Sequence, residues 1–340
     1  MKILAINFKY LGDVAIMTPS LRAIKEFYPD CELHVLVSEE AVPLLKQNPH
    51  IERVWGFPRR RKEIKWGTLK DIIHDLRAQR FDRSVDFIGN DRGAILSRII
   101  GAKVRLGPLV PKGFLGRKWC YTECIEQADD TRHEIIRTWN VLTAWEIPFF
   151  PQTPRVEIFP DPEYEEAASQ LLPKRGIVCH LSTSQPKKEW PIQYWVEFFE
   201  KCSQLDLPIY FTSGYSPREQ MLLSELKQHI PSATYLPRFD SLDLFIATLA
   251  KAYCLISPDT APLHMAAGLG IPTIGLFGPT ASSRWAPLGR LHQALQGGLC
   301  PCSGHLHVCQ HSNRCIDQIK PEQVWKALQT LLKVHPVFIP

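Results

Sequence analysis

The chain has 340 residues, more than one hydrophobic core usually serves, so two domains are expected. Hydrophobic residues make up 45% and charged residues 22%, an ordinary balance for a folded soluble protein, with no repeat or low-complexity tract. Forty Lys and Arg against 35 Asp and Glu leave a net charge of +5, too mild for nucleic acid and compatible with an anionic substrate.

From the N-terminus, "KILAIN" (2–7) reads as a buried strand, Gly12 and Asp13 as a turn, and 14–28 as a helix with apolar residues at Ile16, Leu21, Ile24 and Phe27. Strands are predicted over 31–38, 80–89 and 102–108, with helices over 41–47 and 94–100. Alternating strands and helices imply a parallel sheet covered on both faces. The Pro-rich stretch 148–163 reads as a linker, after which the pattern restarts. Strands at 176–182, 208–214, 252–257 and 271–277 alternate with helices at 191–205, near 216–229 and at 242–252. A short helix, ending near 268–270, joins the last two strands. The expected architecture is two Rossmann-like α/β domains, residues 1–155 and 156–340, facing a central cleft. No window approaches ~18 uncharged apolar residues, and no signal peptide is legible, so a cytoplasmic protein is expected.

Several segments carry polar residues beyond what local structure needs. The first strand–helix turn has only Gly12 of the G-x-G-x-x-G needed for a dinucleotide, which disfavours nicotinamide and flavin enzymes. Asp13 there is either an N-cap or a general base. "FPRRRKEIKW" (57–66) offers Arg59, Arg60, Arg61 and Lys62, as a solvated loop or a patch for an anionic acceptor, and its Trp and Phe also suit an anionic membrane surface. In "HLSTSQPKKEWP" (180–191), Thr183, Ser184 and Lys188 follow a strand end in a manner suited to phosphate. Glu219, after Gly214, is a helix-start acid or a ribose-binding carboxylate. In "PDTAPLHMAAGLG" (258–270), Asp259 or Thr260 caps a helix, and Ala261 and His264 stand in its first turn. A helix N-terminus presents free N–H groups and partial positive charge, so this is a candidate diphosphate site.

Ten Cys without a signal peptide argue for thiols rather than a disulfide framework. Cys300, Cys302, Cys309 and Cys315, interleaved with His305, His307 and His311, suggest a structural zinc or iron, with a disulfide pair or unligated thiols as alternatives.

Together, "GDVAIMTPSLRAIKEFYPDCELHVLV" (12–37), "FDRSVDFIGNDRGAILSRIIGAKVRLG" (81–107), "KEWP" (188–191) and "DTAPLHMAAGLGIPTIGLFGPT" (259–280) resemble the ADP-heptose:lipopolysaccharide heptosyltransferases of glycosyltransferase family 9. The resemblance covers nearly the whole chain. It implies a GT-B fold and an inverting transfer from an ADP-sugar donor to a lipopolysaccharide core-type anionic glycolipid, with no cofactor needed for catalysis. It further implies that Asp13 is the base, that Thr183, Ser184 and Lys188 bind the nucleotide diphosphate, and that Asp259, Thr260, Ala261 and His264 handle the diphosphate sugar. Glu219 is matched less securely. Peripheral contact with the inner membrane is a further expectation, resting on the basic and aromatic patch at 57–66. The chain departs from the pattern at Glu189, where many members have Arg, and at Ala261, where many have Gly. Glu189 is expected to alter the charge beside Lys188. A nucleotide-sugar epimerase or hydrolase, and a non-catalytic sugar-nucleotide-binding protein, are the competing readings.

Overall fold

The computed structural model describes residues 1–58, 66–111, 113–126, 131–149, 154–298, 309 and 314–334. The chain divides into two compact units, Met1–Phe159 and Pro160–Pro340.

The first unit runs β1 (Lys2–Asn7), α1 (Leu11–Phe27), β2 (Glu32–Ser38), β3 (Arg53–Phe57), α2 (Trp66–Ala78), β4 (Arg83–Asp86), α3 (Asp91–Ile100), β5 (Val104–Leu109), β6 (Glu123–Glu126) and α4 (Glu134–Asn140). Its six strands are all parallel, in the order β3-β2-β1-β4-β5-β6. A parallel sheet is covered on both faces, which is why β1 and β2 are buried at every residue after their first and read as unbroken apolar runs. Pro19 sits inside α1 and has no N–H for the Ala15 carbonyl, so the Thr18 hydroxyl donates to that carbonyl at 2.8 Å.

The second unit runs α5 (Glu165–Leu171), β7 (Ile177–His180), α6 (Ile192–Cys202), β8 (Ile209–Thr212), α7 (Pro217–His229), β9 (Thr234–Tyr235), α8 (Leu242–Ala250), β10 (Cys254–Pro258), α9 (Ala261–Gly268), β11 (Thr273–Phe277), α10 (Ser282–Trp285), β12 (His292–Gln296) and α11 (Pro321–Val334). Its sheet is again parallel, in the order β9-β8-β7-β10-β11-β12, so strand for strand it repeats the first. Trp190, Trp195, Phe198 and Phe211 fill its core, and the Trp190 indole donates to the Ile319 carbonyl at 2.8 Å.

Three expectations change in detail. The first helix begins at Leu11 rather than 14, with Tyr10 as its N-cap, so Asp13 lies within the first turn and is not the cap. The helix predicted over 41–47 is a 3-10 turn, Glu39–Leu44, interrupted by Pro43. Residues just past 155 still belong to the first unit, because the Glu157 amide donates to Thr18 Oγ1 at 2.9 Å and its carboxylate pairs with Arg22. Among the described residues no helix is long and apolar enough to cross a membrane.

Candidate active site

In a parallel sheet ordered 3-2-1-4-5-6, the strand order reverses between the first and fourth strands, and ligands bind outside the carboxyl ends at that point. Each unit has such a point, between β1 and β4 and between β7 and β10.

At the first, a small pocket is lined by Lys9 and Asp13 after β1, Phe87 and Ile88 after β4, and Glu134, Arg137 and Thr138 from α4. The Asp13 side chain is 14% exposed and its Oδ1 lies 3.3 Å from Lys9 Nζ. Burial raises its pKa above the ordinary 3.8; Lys9 opposes that rise and Glu134 adds to it. Glu134 is ion-paired with Arg137, whose Nε is buried without a hydrogen-bond partner among the described residues. The pocket therefore holds two carboxylates and two cations, an arrangement able to accept a proton from a bound hydroxyl and to hold an anionic group beside it.

Asp86, at the end of β4, fixes the opposite wall. Its Oδ1 accepts from the amides of Ile88 (3.0 Å) and Gly89 (3.1 Å), and the Tyr121 hydroxyl donates to Oδ2 at 2.7 Å. Burial raises the pKa of this carboxyl too. Gly93 is required opposite it, since an added Cβ would lie 2.3 Å from Asp86 Oδ2.

At the second switch point, Lys188 follows β7 and Asp259 follows β10, and their side chains meet at 2.7 Å. The same Asp259 oxygen accepts from Thr280 Oγ1 at 2.7 Å. Thr260, not Asp259, is the N-cap of α9, and it makes no side-chain cap bond. A carboxylate thus anchors the lysine beside a helix mouth that its own cap leaves open, the combination of fixed cation and N–H groups that suits a diphosphate. Ala261 is partly exposed at this mouth. His264, one turn in, is only 4% exposed, and its neighbour His292 has its pKa lowered to about 4, by burial first and by His264 second.

Thr183 is buried and its hydroxyl closes a turn, donating to the Gln185 carbonyl at 2.6 Å, while Ser184 is exposed beside it. Glu189 does not alter the charge beside Lys188 as expected. Its carboxylate takes a two-pronged contact from Arg218, both bonds at 2.9 Å, and also accepts the Thr183 amide at 2.9 Å. Glu219 takes the helix-start role: it completes a capping box with Ser216 at the start of α7, and its Oε1 accepts from Ser182 Oγ at 3.1 Å.

Glu134, Arg137, Arg218 and Thr280 were not singled out from the sequence. "HEIIR" does place Glu134 and Arg137 three apart on one helix face, and Thr280 ends "GPT", but no local pattern pairs Arg218 with Glu189. The expected acceptor residues Arg59, Arg60, Arg61 and Lys62 lie outside the described residues, as do Cys300 and Cys302. Cys309 is half-buried and Cys315 buried, and among the described residues no three His, Cys, Asp or Glu side chains form a metal-ligand group.

Residues 69–312 match the model of glycosyltransferase family 9 (heptosyltransferase). The chain is 22% identical over 290 residues to lipopolysaccharide heptosyltransferase 3 of Escherichia coli, covering 82% of this chain and 84% of that one. Its fold resembles the crystal structure of a family 9 glycosyl transferase from Veillonella parvula, with a TM-score of 0.84 at 19% identity, over 98% of this chain and 97% of the other. It also resembles Escherichia coli heptosyltransferase WaaC, determined with ADP-2-deoxy-2-fluoro heptose, with a TM-score of 0.74 at 20% identity, over 97% of this chain and 99% of the other.

Proposed function

Because the chain belongs to glycosyltransferase family 9, the heptosyltransferases, and is therefore a glycosyltransferase, we propose that it moves heptose, or a related sugar, from an ADP-sugar to a lipopolysaccharide core-type acceptor. The observation that carries the donor half is the Lys188–Asp259 pair at the open mouth of α9, at the switch point of the second sheet. The relative determined with an ADP-heptose analogue supports the choice of donor.

The reaction is inverting and takes place in the cytoplasm, where Asp13 is the base. An acceptor hydroxyl oxygen attacks the anomeric carbon as the bond from that carbon to the diphosphate breaks, and the hydroxyl proton passes to the Asp13 carboxylate. Lys188 and the free N–H groups at the start of α9 stabilise the charge that grows on the departing diphosphate. These groups carry out the transfer without a catalytic metal. Thr183 and Ser184 shape the phosphate loop, Thr260 and Ala261 let the diphosphate approach closely, and His264 backs them. The ribose contact is assigned to Glu219 through the lone pairs its capping box leaves. Arg59, Arg60, Arg61 and Lys62 receive the anionic acceptor, and a structural zinc or iron is assigned to Cys300, Cys302, Cys309 and Cys315.

Mass spectrometry of products from an acceptor panel with ADP-heptose tests this reading. Glycosylated acceptor is expected. Free heptose or isomerised donor in the absence of acceptor would turn the assignment to a hydrolase or epimerase. Charge reversal at Arg60 and Arg61 is expected to raise the acceptor KM and leave the donor KM unchanged; an unchanged acceptor KM removes that patch from the site.

A further inference from the structure

The segment between β5 and β6 holds apolar side chains in water. Leu115 is 99% exposed, Trp119 73% and Phe114 39%. Single exposed apolar residues are ordinary, but a cluster marks an interaction surface. The Trp119 ring lies against Gly116, where an added Cβ would come within 2.7 Å of it. Lys118 Nζ sits 5.9 Å from the centre of the same ring.

Buried Arg117 pins the segment to the start of α3. Its guanidinium donates to the Gly89 carbonyl and lies 3.4 Å from Asp91 Oδ1, an oxygen that also accepts the Phe114 amide at 3.2 Å. The apolar tips are thus held outward rather than free to fold back. α3, which packs against this segment, adds Ile95 and Ile99, one turn apart and both exposed.

Charge selects the occupant. From residue 92 to residue 122 the sequence has seven Lys and Arg and no Asp or Glu. Arg98 is exposed and lies near Arg105, which donates to the carbonyls of Cys120 and Ala102. Of these cations Lys103 pairs with Asp82 and Arg117 with Asp91, whereas among the described residues no carboxylate pairs with Arg98, Arg105 or Lys118. Projecting Leu, Phe and Trp within a field of cations match an anionic bilayer surface, where apolar tips enter the acyl boundary and the cations stay among the headgroups.

We infer that Phe114, Leu115 and Trp119, with Lys118 and the exposed side of α3, form a docking surface for an anionic lipid membrane. This extends the proposed function, which places the acceptor on a lipid, and it is tested with neither donor nor acceptor, so either reading can fail alone.

The test is co-sedimentation of the full chain with phosphatidylcholine vesicles, with and without phosphatidylglycerol. Binding only to the phosphatidylglycerol vesicles is expected, weakened by salt and reduced at least about tenfold in a Leu115→Asp, Trp119→Ser variant with unchanged melting temperature. Bromine-labelled acyl chains are expected to quench the wild type more than Trp119→Phe. Absent binding, equal binding by the double variant, or equal quenching overturns the inference. So does a double variant that dissociates a wild-type dimer without vesicles, which would make a second copy the occupant.

Discussion

Burial sets the behaviour of Asp13. Desolvation lifts its pKa above the ordinary 3.8, so if it is the base, turnover falls with acid at a higher pH than for an exposed Asp. Removing the neighbouring negative charge by Glu134→Gln is expected to move the acidic limb of the kcat profile down, and Lys9→Met to move it up. Limbs that stay put in both variants would mean that another group titrates. The same shift acts on stability with a definite sign. A folded-state pKa above the unfolded one means the folded chain holds this proton more tightly, so stability falls as pH rises through that interval. Asp13→Asn is therefore expected to melt no lower than wild type at pH 7, while losing about 10²-fold or more in turnover. A lower melting temperature would contradict the electrostatic account.

The loop after β7 is held by partners distant in sequence. Glu189 is 7% exposed and accepts from both Arg218 and the Thr183 amide, so Arg218→Ala would leave a buried carboxylate short of its donors. A loss of about 1–3 kcal/mol in unfolding free energy is expected, reduced when Glu189→Gln is added. Additive losses in the double variant would show that the pair is not coupled. These ties also explain what local sequence could reveal. The apolar runs of β1 and β10 and the small residues of α9 were legible because burial on both strand faces leaves a continuous signature. β3, half-buried at the sheet edge, and β9, two residues long, leave too short a pattern. The position of Asp13 was legible, but its helical turn was not, because Tyr10 caps α1 without a side-chain bond. In the sequence Glu189 reads as a charge beside Lys188, because its partner Arg218 lies 29 residues on, beyond any local rule.

Two sheets of identical strand order put one group of polar residues at each switch point, Asp13 with Glu134 in one unit and Lys188 with Asp259 in the other. The alternation of strands and helices made the parallel sheets legible, while the matching order needed the pairings themselves. If Asp13 serves the chemistry and Lys188 the donor, as proposed, binding and chemistry separate in a measurable way. A saturating nucleotide stabilises a folded chain by about 2.7 kcal/mol at a hundred times its Kd. ADP is expected to raise the melting temperature of wild type and Asp13→Asn alike, and to do so much less for Lys188→Ala. The most direct test of the whole account is product mass spectrometry with ADP-heptose and a lipopolysaccharide-core acceptor, run on wild type and Asp13→Asn with ADP binding measured in parallel. Transfer by the wild type, and a variant that binds ADP normally yet transfers nothing, is the expected result; undiminished transfer by Asp13→Asn would contradict it.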